Sequence, residues 1–124
     1  MKTMLRAMLL IAASILAGSS SMIAHHSGQN FDEKNLVVLT GTVTEFKMMN
    51  PHVHFLINVK TADGRIEKWL AESDSPQNLY NRGWKRDTLK PGDQIKIIGV
   101  LARDGSKIVR VKKIEGRNLP PLSD

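Results

Sequence analysis

Asn50-Pro51-His52-Val53-His54-Phe55-Leu56-Ile57-Asn58-Val59 is the stretch whose reading decides the fold. Alternate side chains of a strand point to opposite faces, so Val53, Phe55, Ile57 and Val59 make one apolar side. His52, His54, Leu56 and Asn58 make the other. The apolar side is expected to be buried and the histidines to face out. Residues His52 to Thr61 therefore read as one strand of a one-sided sheet, entered through a turn spanning Met48 to Pro51.

Working outward, Leu36 to Lys47 is rich in β-branched residues and interrupted by Gly41, which predicts a strand with a bulge or sharp bend. After the second strand, Ala62-Asp63-Gly64 carries the Asp-Gly hairpin signal into a third strand, Arg65 to Glu72. Ser75 as N-cap, Pro76 at the first helical position and Gly83 beyond the end predict a short helix through Asn81 or Arg82. Leu79, Tyr80 and Trp84 are its candidates for plugging a barrel end. Leu89 to Asp93 turns into a fourth strand, Gln94 to Ala102, and Arg103 to Ser106 turns into a fifth, Lys107 to Glu115. Three strands, a helix and a two-strand hairpin is the order of an all-β, five-stranded OB-like barrel with the helix between strands three and four. A split β-sandwich is the alternative. Residues 27 to 35 read as an extended lead-in, and the tail from Gly116 to Asp124 as extended and flexible.

The start of the chain has another character. Lys2 and Arg6 precede an uncharged apolar run, Ala7 to Gly18, followed by the small polar residues Ser19 to Ser21. That order is expected of a secretory signal peptide, and the run falls short of the ~20 residues of a membrane-spanning helix. The organisation expected is a signal peptide over 1–24, an extended arm over 25–35, the barrel over 36–115 and a flexible tail over 116–124. A cut after Ser21 and an uncleaved membrane helix are the competing readings of the first segment. The expected address is periplasmic or secreted, with no membrane span in the mature chain.

No cysteine occurs, which excludes disulfides, thiolate metal sites and lipoprotein attachment. The full chain carries a formal charge of +6, milder in the mature part because Lys2 and Arg6 depart and no acid goes with them. Such a balance permits loose attraction to polyanions without specifying one.

Four places carry a resemblance to a family: the His25-His26-Ser27 start, Gly41-Thr42-Val43-Thr44-Glu45-Phe46 running into Asn50-Pro51-His52, Arg82-Gly83-Trp84, and Leu89-Lys90-Pro91-Gly92-Asp93. With them the chain resembles a family of small exported bacterial proteins of unknown function. The resemblance implies a periplasmic OB-like domain and brings no established activity or cofactor. His54 departs from it, because an aromatic residue is commoner there.

The histidines fall in two close pairs, His25/His26 and His52/His54. Imidazoles at i and i+2 of a strand can chelate one ion from one face, and imidazole suits copper, zinc and nickel. Cleavage after Ala24 would add the α-amino group of His25, giving an all-nitrogen set suited to Cu(II), with Met48 and Met49 nearby in sequence. The expectation is a metal site of His25, His26, His52 and His54, with copper as cofactor or another divalent transition metal in its place. Against it stands the plainer reading, a polar chain end and a His52 held by a turn hydrogen bond. No nucleophile is paired with a base, so no enzyme is expected. Export argues against nucleic acid. The other functional reading is an envelope interaction module that binds a peptide, glycan or protein partner in a groove built on Trp69 and Trp84. A monomer is expected.

Overall fold

The computed structural model describes residues 31–123. The segment expected to be a signal peptide, the first part of the expected arm, His25 and His26 lie outside the described residues.

Five strands close into a barrel in the order β1-β2-β3-β5-β4. They are β1 Phe31–Lys47, β2 His54–Lys60, β3 Ile66–Glu72, β4 Gln94–Ala102 and β5 Ile108–Glu115, with the helix α1, Pro76–Asn81, between β3 and β4. Every pairing is antiparallel except β3 with β5, which runs parallel over Leu70 to Glu72 against Ile108 to Arg110. This closure is the OB-like arrangement; the split sandwich is set aside.

Local chemistry places each element. The β2–β3 hairpin closes where the Thr61 N–H donates to the Arg65 carbonyl at 2.8 Å and Gly64 takes φ +85°. The Asp63 carboxylate in that turn accepts from the Thr61 hydroxyl and from Arg65 Nε. Ser75 Oγ accepts from the Asn78 N–H at 3.3 Å, capping α1, and Gly83 at φ +93° ends it. The core holds Val43, Val53, Phe55, Ile57, Leu79, Ile95, Ile97 and Val109, so the alternation read along β2 is the alternation observed.

Trp84 is the largest of the fully buried side chains, 1% exposed. Its ring lies 5.8 Å from those of Phe46 and Phe55, which stand 5.2 Å apart. As a groove residue Trp84 is therefore corrected: it closes the barrel end under the helix. Its indole N–H donates to the Pro121 carbonyl at 2.9 Å, and Leu119 and Leu122 pack on the core. The segment expected to be a flexible tail thus makes core contacts at Leu119, Pro121 and Leu122, whose side chains and backbone find partners on the barrel end.

The first strand begins earlier than expected. Phe31 pairs with Ala102, and the register then jumps to Leu36 with Val100, leaving Asp32 to Asn35 in a wide bulge. These polar residues hide the strand from an apolar count, while Phe31 buries its ring with Val100 and Ala102 as a small second core. In the β1–β2 connection the Asn50–Pro51 peptide is cis, and β2 is laddered from His54, so His52 sits in the bend before the strand.

Candidate metal-binding edge

The outer face at the end of the barrel where β1 gives way to β2 carries the candidate site. Reading across the ladder, Lys47 of β1 stands beside His54 of β2, His54 beside Glu72 of β3, and Glu72 beside Arg110 of β5. His54 Nε2 lies 3.6 Å from Glu72 Oε1, with the two side chains 23% and 21% exposed. That separation is too long for a direct hydrogen bond. Arg110 continues the row: its guanidinium stacks 4.4 Å over the Phe31 ring and reaches Glu33, whose other oxygen takes Lys112 Nζ at 2.7 Å. The start of β1 thus lies on the same outer face as His54.

Partial burial lowers the pKa of His54 below the ordinary histidine value. Glu72 opposes this, and the positive charges of His52, when protonated, and Lys47 reinforce it. The imidazole is therefore held neutral, the form that binds metal. The unfolded chain takes up this proton first as pH falls. His54 thus contributes stability that is full above the unfolded value near 6.5 and is lost as pH falls through the folded value. In the metal-free protein an NMR titration is expected to place the His54 midpoint below 6.5, and Glu72→Gln to move it further down by removing the opposing charge. An upward shift in the variant would mean that Glu72 is not facing the ring.

His52 is exposed in the bend, and Met49 beside it is also exposed, whereas Met48 is buried in the core and out of reach of any surface ion. Among the described residues no group of three His, Asp or Glu stands close enough to hold a metal alone. The structure brings His54 together with Glu72, a residue absent from the donor set expected from the sequence. Counting nine residues each way from Asp63 in the hairpin would have found it, since this register pairs His54 with Glu72.

The same register turns Trp69 toward Ile57, on the core side of β3. Its indole N–H donates to Glu67 at 3.1 Å, and that bond, with the Lys107 ammonium at 3.3 Å, holds the Glu67 carboxyl below the usual carboxylate range. Trp69 packs against the core and does not line an outer groove, a second correction. No helix among the described residues is long and apolar enough to cross a membrane.

Fold and face together define a small closed β-barrel of OB type with a histidine–carboxylate pair at the edge of its outer surface. Residues 12–110 match the family described as "Family of unknown function (DUF6152)", and the chain belongs to it. No curated protein matches the chain. Solved structures with which it shares some likeness include the mitochondrial single-stranded DNA binding protein Rim1 of S. cerevisiae, at 16% identity over 74% of this chain and 98% of that one, TM-score 0.48. Another is the N-terminal domain of PriB from Thermoanaerobacter tencongensis, a dimeric structure, at 18% identity over 70% of this chain and 100% of that one, TM-score 0.47.

Proposed function

We propose that the chain is an exported, non-enzymatic binding protein that holds copper or another divalent transition metal at the barrel edge, through His52 and His54 with His25 and His26. The observation that carries this reading is the 3.6 Å between His54 Nε2 and Glu72 Oε1. Two donors each ~2.0–2.2 Å from one ion stand roughly 3–3.6 Å apart, so the pair is spaced as ligands are. Glu72 thereby joins the candidate donors.

Reach supports the remaining ligands. From Phe31 to His54 the path crosses four strand spacings of ~4.8 Å, ~19 Å around the curved surface and less in a straight line. The six residue-to-residue steps from His25 to Phe31 extend to ~20 Å, and the imidazoles add to that. Arg110 stacked on Phe31 fixes the starting point of that path on the correct face. With neutral His54 and three further imidazoles the donor set is rich in nitrogen, which suits Cu(II) or Zn(II).

Titration of the mature protein with Cu(II) and with Zn(II), its N-terminus confirmed by intact mass, tests this. One-to-one binding is expected, weakened by at least about tenfold in His54→Ala and in His52→Ala, and on the order of tenfold in Glu72→Ala. Undiminished affinity in the His52→Ala/His54→Ala double variant would assign any binding to the chain terminus alone and overturn the barrel-edge site.

A further inference from the structure

A second surface lies away from the histidines, on the outer face where β4, β1, β2 and β3 pass side by side. Thr40, Thr42, Asn58, Lys60, Ile66 and Gln94 line an open hollow of about 580 Å³ there. Gln94 also borders a neighbouring hollow of about 350 Å³ that contains Arg117 and Asn118; the two hollows adjoin at that side chain and together make up the trench. The volumes fall in the range of small-ligand sites. Gln94 Nε2 donates to Thr42 Oγ1 at 2.7 Å and ties the two halves of the floor together.

The lining selects a ligand class. Lys60 lines the larger hollow and Arg117 the smaller, and neither has an ion partner among the described residues. Lys68, beside Asn58 in the ladder, is likewise without one. One carboxylate, Asp93, lies in the smaller hollow, where its Oδ2 already accepts from the Lys90 N–H at 2.9 Å. The balance favours an anion. Between the cations the floor offers hydroxyls and amides, groups that both donate and accept, as sugar hydroxyls do. Ile66, 58% exposed, offers an apolar contact for the C–H face of a sugar ring.

Two other polyanions fit less well. No aromatic ring lines the trench, so bases of single-stranded nucleic acid have nothing to stack on. β1 is laddered on both sides at the floor, Thr42 with Gln94 and with Asn58, so no free backbone edge remains for an acidic peptide to add as a strand. We infer that this trench binds an anionic glycan, a chain of hydroxyl-rich sugars bearing carboxylates, with Lys60 and Arg117 each meeting an acidic group.

The inference is independent of the metal site, and its test is run with a chelator present. Short oligogalacturonates are titrated calorimetrically into the mature protein at low salt, alongside neutral cello-oligosaccharides, oligoglutamate and oligo-dT of matched length. Binding of the oligogalacturonate is expected, at least about tenfold tighter than the neutral sugar and weakening as salt rises. Lys60→Gln and Arg117→Gln are each expected to cost about five- to tenfold in affinity with unchanged melting temperature. Lys85→Gln, outside the trench, is expected to change nothing. Absence of binding, equal binding of the neutral sugar, stronger binding of oligoglutamate or oligo-dT, or full affinity in both trench variants would each overturn it.

Discussion

Trp84→Ala is expected to cost about 3–5 kcal/mol of folding stability, the range for emptying a large aromatic site in a packed core. The indole fills the barrel end between Phe46 and Phe55, is 1% exposed, and holds the C-terminal segment through its N–H on the Pro121 carbonyl. For a domain of this size the loss corresponds to a melting temperature lower by on the order of 15–25 °C. Trp84→Phe separates the two contributions: it keeps a ring in the site but loses the hydrogen bond, and a smaller fall is expected. Thermal unfolding followed by circular dichroism reads both. A melting temperature in Trp84→Ala within a few degrees of the parent would mean that Trp84 does not close the barrel.

The second large effect is expected at Gly99. A Cβ there would stand 2.3 Å from the Arg110 carbonyl oxygen and 2.6 Å from Val109 Cγ2, both on β5. One obstacle is backbone and cannot rotate away, so Gly99→Ala must push β4 from β5 at the point where their register already shifts. About 3 kcal/mol is expected, the upper part of the range for overpacking. Because Arg110 is the residue displaced, its stacking on Phe31 and its pairing with Glu33 are expected to loosen as well. Amide exchange measured by NMR should therefore show faster opening at Phe31 and Val100 than at Phe55. Uniform protection would contradict that local picture.

Much of the fold was legible because its signals are local. Alternation along β2 fixed which side of Val53 to Val59 is buried, and the Ser75-Pro76 cap with Gly83 bounded the helix. Features that depend on distant partners were not. Phe31 reads as an isolated aromatic among polar residues until Val100, Ala102 and Arg110 are brought beside it. Leu119 and Leu122 look like loose ends of a proline-rich tail until Trp84 and the core receive them. Trp69 could have been oriented from the hairpin, since the register that sets His54 against Glu72 sets Trp69 against inward-facing Ile57. Of the candidate site, the outward face of His54 was readable; its carboxylate neighbour required counting across the Asp63 turn.

The central claim is that a metal ion at the barrel edge draws ligands from both the strand and the segment before Phe31. Pulsed EPR of the mature protein loaded with one equivalent of Cu(II), which counts the coordinated imidazoles, tests it most directly. Up to four imidazoles are expected, with one lost in His54→Ala and at least one lost in a His25→Ala/His26→Ala variant. An imidazole count unaltered by removing both His52 and His54 would contradict the account.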